Sequence, residues 1–337
     1  MQSRNNSFDL IRHIAAMAVL VSHHFVLSGQ SEPTFFGVNS LGGFAVIAFF
    51  AISGYLITQS FQRSSLLSYG SKRAARIFPA LIACAFVMVY LIWSVYSKSF
   101  LATVGSQEAL LKFLQISSFG PAKIDEVTRD FIFPDSLNGS LWTLKLEFGC
   151  YIFLALALTL VRQPLMPILM LLVICALNVA STWISHPFAS KAVIYTSVCM
   201  SFFVGSILAF YQKLLDSFKS KATLAGLGFS LTFIAVAGFQ PSMISSIGFS
   251  LIVLALGTMH KERIIRGRFD ISYGLYLYAF PVQQLMINCT DLGFFPSMVV
   301  SACVTTLLAT LSWVYIEKPA LAFAKGLFRQ RVEESKT

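Results

Sequence analysis

Two ionisable side chains mark the first apolar run of the chain, Phe8 to Phe25: Arg12 near its start and His23 in its depth. Eleven residues at 100° each return a helix to within about 20° of its starting direction, so the two share one face, roughly 16 Å apart along the axis. Ionisable groups inside a membrane helix are costly and are functional candidates by default. A histidine there can act as general base on a hydroxyl or accept an acyl group itself. A snorkelling arginine and a histidine bonded to a neighbouring helix describe the same run equally well. His24 is adjacent and points about 100° away, so its replacement is expected to matter much less.

Four further groupings carry polar chemistry in apolar surroundings. Lys72-Arg73-Ala-Ala-Arg76-Ile-Phe-Pro79 puts two guanidinium forks three residues apart, flanking one helical face. Such forks suit a phosphorylated ligand; an ordinary basic anchor at a membrane edge reads the same way. Asn138-Gly-Ser-Leu-Trp-Thr-Leu-Lys-Leu-Glu147 places Trp142 as an interface anchor and Glu147 roughly 7 Å deeper, either as a working carboxylate or as a buried glutamate paired with a Tyr or Lys for folding. Glu147 and His23 differ in expected depth by about one turn, so they meet if their helices pack together. Phe49-Phe-Ala-Ile-Ser-Gly-Tyr-Leu-Ile57 reads as mainly structural, with Ser53 and Gly54 allowing close helix packing and Tyr55 as a candidate cavity residue. Asp270-Ile-Ser-Tyr-Gly-Leu-Tyr-Leu-Tyr-Ala-Phe-Pro-Val-Gln-Gln284 carries three tyrosines, a proline and two glutamines, which are expected to line a cavity.

The elements that must position these groups are membrane helices. The chain has 337 residues, 56% hydrophobic and only 12% charged. A soluble domain carries about twice that charge. Apolar spans of about 20 residues fall at roughly 9–28, 41–60, 77–96, 141–161, 165–183, 191–211, 222–239, 242–259, 271–290 and 296–315. The fold class expected is therefore all-α and polytopic, with about ten transmembrane helices in one membrane domain over 1–316. An amphipathic cytoplasmic tail follows over 317–337, where Leu321, Ala324, Leu327 and Phe328 recur at helical spacing among basic residues. Residues 1–30 read as an uncleaved first span, because Asp9, Arg12 and His13 interrupt them and no small-residue cleavage site follows.

Alternate connecting segments, with both ends of the chain, hold 19 of the 25 Lys and Arg residues, so that set is expected to face the cytoplasm with both termini. It includes Arg4, Arg63, Arg73, Arg263, Arg266, Arg268 and Lys336; the loop over 97–140 falls outside, with a short interfacial helix near Glu108–Leu114. The formal charge of +10 is spread through these short segments, which argues for topology and an anionic ligand at one membrane face, with no nucleic acid. The six cysteines lie in or at the ends of apolar spans with neither C-x-x-C nor metal spacing, so no metal site is expected. No internal repeat is evident, which weakens a transporter built from two related halves.

In this order, Arg12 with His23 after Asp9, Phe-Phe-x-Ile-Ser-Gly-Tyr, Arg73 with Arg76, Ser-Leu-Trp-Thr-Leu…Glu147, Ser-Tyr-Gly-x-Tyr at 272–276 and Glu317-Lys-Pro resemble the acyltransferase-3 family of bacterial membrane proteins. The resemblance spans nearly the whole chain. It implies an O-acyltransferase of the bacterial inner membrane that takes an acyl group, usually acetyl, from cytoplasmic acyl-coenzyme A. The acceptor it implies is a sugar hydroxyl on a lipid-linked or polymeric envelope glycan. On that reading His23 is catalytic and Glu147 orients it or stabilises charge. Arg12, Arg73 and Arg76 hold the donor, and Trp142, Tyr55 and Tyr273 contact substrate. Membrane lipids and a polysaccharide-synthesis machinery are the expected partners. Two positions depart from the family pattern: Phe148 stands where many relatives carry a second Glu, and Lys145 where Pro, Ser or Tyr is common. Larger relatives carry a fused extracytoplasmic hydrolase-like domain; this chain ends about 20 residues after the tenth span, so transfer is expected to finish within the membrane domain or with a partner. A transporter or flippase for a glycolipid or small solute is the competing class, and a scaffold subunit a third.

Overall fold

The computed structural model describes residues 6–334 except 36, 98, 263–264 and 266–268, and gives the backbone alone for 187 and 327–334. Of the basic residues that assign the two sides, Arg4, Lys98, Arg263, Arg266, Arg268 and Lys336 therefore lie outside the described residues, as do the side chains of Arg329 and Arg331.

The protein is an all-α polytopic membrane protein, 79% helical. Its elements in chain order are α1 (Phe8–Leu27), a two-stranded ribbon of β1 (Thr34–Phe35) and β2 (Asn39–Ser40), α2 (Leu41–Gln62), α3 (Leu66–Phe86), a π-helical stretch (Val87–Trp93), α4 (Ser94–Tyr96), α5 (Phe100–Val104), α6 (Gln107–Ser117), α7 (Asp125–Thr128), α8 (Leu141–Leu160), α9 (Leu165–Thr182), α10 (Pro187–Phe210), α11 (Phe218–Val236), α12 (Pro241–Met259), α13 (Ser272–Asn288), α14 (Phe294–Ser312), a second π-helical stretch (Trp313–Glu317) and α15 (Lys318–Glu334). Among the described residues eight helices are long and apolar enough to cross a bilayer. The other two expected spans are present as α11 and α13, shorter or more polar than a lone span needs. The second of these, α13, is tolerated because protein surrounds it. Residues 272–284 of α13 are all buried.

Two boundaries differ from the sequence expectation. The helix that carries the third span begins at Leu66, ahead of the apolar run at 77–96, so Lys72, Arg73 and Arg76 sit within a helix rather than at its threshold. A hydropathy window cannot register this first part, because its apolar residues share one face with basic residues on the other. The helix of the tail, α15, is continuous with α14 through the π-helical stretch.

Capping explains several ends. α1 closes with Gly29 at φ +72°, where Gly29 N–H donates to Val26 O at 3.0 Å and Gln30 N–H to Phe25 O at 2.8 Å. That left-handed position is open to glycine at little cost. α6 is the short helix expected near Glu108, and Ser106 Oγ caps it by accepting from Ala109 N–H at 3.0 Å.

The chain divides into two compact units. The first holds α1 to Val19, the ribbon, α2, α8 from Leu146, and α9 to α12. Backbone-to-backbone approach at glycines organises it. A Cβ on Gly54 would lie 1.8 Å from Phe202 O, and one on Gly205 would lie 2.0 Å from Ala51 O. Only glycine allows α2 and α10 to come so close. The start of α1 is fastened to the end of α12 by Ser7 Oγ donating to His260 O at 2.6 Å, with Phe8 seated against Gly257.

The second unit holds α1 from Leu20, α3 to α7, the first residues of α8, and α13 to α15. α13 is its spine. Pro281 has no N–H, so the Leu277 carbonyl four residues earlier loses its helical partner. Asn138 Nδ2 donates to that carbonyl at 2.9 Å and Cys84 Sγ at 3.5 Å. A buried carbonyl out of reach of water must be satisfied by protein, and here the chain supplies two donors.

Candidate functional site

His23 and His24 are neighbours on α1 with opposite surroundings. His24 is fully buried. Its Nε2 lies 3.0 Å from Phe294 O and 3.1 Å from Ser297 Oγ. Its Nδ1 lies 3.1 Å from Gln283 Nε2, which also donates to Leu20 O at 2.8 Å. This network assigns a neutral ring that donates from Nε2 and accepts at Nδ1. His24 thus locks α1 to α13 and α14, and the small effect expected of it from its face alone does not account for this bonding. His23 has a buried Nδ1 without a hydrogen-bond partner among the described residues. Its ring meets Phe280 edge-on, with centroids 5.1 Å apart. Phe280 in turn abuts Gly139, where a Cβ would fall 2.8 Å from its ring. The Asn-Gly-Ser turn before α8 is therefore part of the wall behind His23. Asn138 and Ser140 hold that turn, Ser140 Oγ donating to Asn138 Oδ1 at 2.7 Å.

The two arginines of the second grouping have different fates. Arg76 Nη2 lies 2.7 Å from Asp270 Oδ2, and its Nη1 lies 3.7 Å from Glu317 Oε2. Its guanidinium carbon sits 5.7 Å from the Tyr273 ring centroid and 6.0 Å from that of Trp313. Ser272 Oγ donates to Asp270 Oδ1 at 2.7 Å, and Ser312 Oγ to Glu317 Oε1 at 3.2 Å. Three sequence groupings, around Arg76, Ser272-Tyr273 and Glu317, thus converge on one guanidinium. A phosphate at Arg76 would have to displace or share a carboxylate partner. Arg73 and Arg12 are half-buried, each with a buried Nε. No signal in the sequence links Arg76 to Asp270 or Glu317, because an arginine does not announce which distant carboxylate it will meet.

Tyr273 Oη donates to Ile77 O at 2.9 Å, so its hydroxyl is committed to the backbone of α3. Gln284 Nε2 donates to Phe133 O and Ser136 O, both at 2.8 Å, and Tyr276 Oη pairs with Thr143 Oγ1 at 2.6 Å. The tyrosines and glutamines expected to line a cavity thus spend much of their hydrogen-bonding capacity clamping neighbouring segments. Trp142 is half-buried at the second position of α8. Tyr55 is buried, its ring 5.6 Å from that of Phe8.

Glu147 belongs to the first unit, and His23 to the second. Its Oε1 accepts from Ser53 Oγ at 2.5 Å and from Tyr151 Oη at 2.5 Å. Beside the close packing at Gly54, the Ser53 hydroxyl is one of two donors on this carboxyl group. Among the described residues no group of three or more His, Cys, Asp and Glu side chains is placed to hold a metal ion.

A family model described as an acyltransferase domain, that of the acyltransferase-3 family, matches residues 5–316. The O-acetyl transferase of Shigella phage Sf6 is 38% identical over 320 residues, 94% of this chain and 96% of that protein. Nodulation protein 10 of Rhizobium leguminosarum bv. viciae is 28% identical over 97% of this chain and 96% of its own length. The putative peptidoglycan O-acetyltransferase YrhL of Bacillus subtilis (strain 168) is 28% identical over 88% of this chain, which spans 54% of that longer protein. No solved structure matches the chain significantly.

Proposed function

The chain belongs to the acyltransferase-3 family, and from that premise we propose that it is an O-acetyltransferase of the bacterial inner membrane. The donor is acetyl-coenzyme A, bound from the cytoplasm. The acceptor is a hydroxyl of a lipid-linked or polymeric envelope glycan. The names of two relatives, an O-acetyl transferase and a putative peptidoglycan O-acetyltransferase, support the reaction class.

The observation that carries the assignment of His23 is the contrast between the two histidines. His24 has both ring nitrogens engaged, whereas His23 has none of its ring atoms bonded among the described residues. A free imidazole nitrogen takes the proton of the acceptor hydroxyl while that oxygen attacks the acetyl carbonyl and coenzyme A leaves as its thiolate. Arg12 and Arg73 hold donor phosphates. Arg76 keeps the inner part of α3 in place through its two carboxylates, and any contact it makes with donor is secondary to them. Glu147, Trp142 and Tyr55 serve the acceptor.

The test is transfer from radiolabelled acetyl-coenzyme A in inverted membrane vesicles from cells carrying the protein, which contain the native acceptor. Label should enter glycan, and vesicles lacking the protein should incorporate none. Equal incorporation with and without the protein overturns the assignment and favours a transporter or scaffold.

The orientation proposed with it has both termini and 61–76 facing the cytoplasm and 97–140 outside, on the strength of the 19 basic residues. Reporter fusions after Gly120 and at Thr337 should then report opposite sides. Both on one side would refute the map.

A further inference from the structure

Glu147 is held in an unsymmetrical way. Both of its donors, Ser53 from α2 and Tyr151 one turn along α8, bond the same oxygen, Oε1, each at 2.5 Å. That length is usual for a hydroxyl donating to a carboxylate. No donor among the described residues bonds Oε2, and Glu147 is only half-buried. The donors are themselves fixed. The Tyr151 ring packs on Phe202 with centroids 5.9 Å apart. Phe202 presses its backbone carbonyl against Gly54, next to Ser53. A membrane carboxylate that served only the fold would gain from a donor on each oxygen, because an unmet acceptor in an apolar setting is costly.

We propose that Ser53 and Tyr151 are positioning residues that orient Glu147 through Oε1, and that Oε2 accepts a hydrogen bond from a hydroxyl of the sugar acceptor. The second half of this statement rests on the acetyltransferase reading; the first does not. A sugar suits the site because it brings neutral O–H donors in fixed geometry. The Ser-Gly pair of α2 then has two tasks: Gly54 sets the distance to α10, and Ser53 uses that distance to reach Glu147.

A coupling experiment separates positioning from folding. Acetyl transfer in the vesicle assay is measured for Ser53→Ala and Tyr151→Phe, each alone and in a Glu147→Gln background. Each single change removes one hydrogen bond to a charged group and should lower transfer about 10-fold, with the KM for acetyl-coenzyme A unchanged. In the Glu147→Gln background neither should lower it by more than about 2-fold, because the group they orient has already lost its charge. Equal losses in both backgrounds, or none in either, overturn the proposal. Infrared difference spectra of the purified protein, wild type minus Glu147→Gln, isolate the carboxylate stretches of Glu147 without any turnover. Those bands should move in Ser53→Ala and in Tyr151→Phe. Unmoved bands sink the positioning role. Shifted bands in a protein that transfers no acetyl group keep it and instead overturn the hydroxyl contact, together with the acetyltransferase reading.

Discussion

His23→Ala is expected to lower acetyl transfer by about 10²- to 10⁴-fold, the usual contribution of an imidazole general base, and to leave the protein folded and inserted. Loss is greater still if the imidazole carries the acyl group. The ring has no hydrogen bond to lose among the described residues and touches Phe280 through its edge, so its removal opens a small space and orphans no polar partner. His24→Ala should behave in the reverse way. It strips the buried acceptor from Gln283 Nε2 and one of two donors from the part-buried Phe294 O, which keeps Ser297 Oγ at 2.9 Å. Each group left unsatisfied costs about 1–3 kcal/mol. Thermal unfolding in detergent should therefore show His24→Ala clearly destabilised, with the surviving folded fraction retaining turnover per molecule. Measuring unfolding and vesicle transfer on both variants separates base from brace. A stable, fully active His23→Ala protein would remove His23 from the chemistry, and a His24→Ala protein as stable as wild type would remove the lock.

The contrast also shows what the sequence discloses. Helical spacing places Arg12 and His23 on one face and turns His24 away, because that geometry is local. Hydropathy finds nearly all the membrane helices, since a bilayer demands apolar runs of fixed length. Where the expectation for α3 erred, at Leu66, an amphipathic first part hid the helix from an average over all faces. The partners of buried polar groups were not legible. Arg76 and Asp270 are 194 residues apart, Ser53 and Glu147 94 residues apart, and His24 and Gln283 259 residues apart. Periodicity within one helix says which side chains share a face; it does not say which helix lies opposite. The role of Ser53 was masked for a second reason. A serine beside a glycine in an apolar helix already has an adequate explanation in packing.

Arg76→Ala is expected to unfold the second unit more readily than any donor-site variant, with a loss of about 3–5 kcal/mol, the range for removing one partner of a buried ion pair. Asp270 and Glu317 have side chains only 12% and 1% exposed, and the substitution takes from both carboxylates the cation they share. Arg76→Lys should recover only part of the loss. An ammonium keeps the charge but lacks the two-pronged fork that reaches both acids and the flat face that lies against Tyr273 and Trp313. Adding Asp270→Asn to Arg76→Ala should restore some stability, because it removes one of the two acidic charges that Arg76 offsets. Arg73→Ala should follow a different course. If it grips a donor phosphate, affinity for acetyl-coenzyme A falls by roughly 10- to 100-fold, as expected for one charge-assisted contact of about 1.5–3 kcal/mol, and lysine rescues it partly. Thermal unfolding paired with calorimetric titration of acetyl-coenzyme A reads both effects in the same preparations. Two adjacent arginines acting only as a membrane anchor would show neither effect, since lysine would replace them fully and donor affinity would stay constant. An Arg76→Ala protein as stable as wild type but blind to the donor would place the phosphate, rather than Asp270 and Glu317, as the true partner of Arg76.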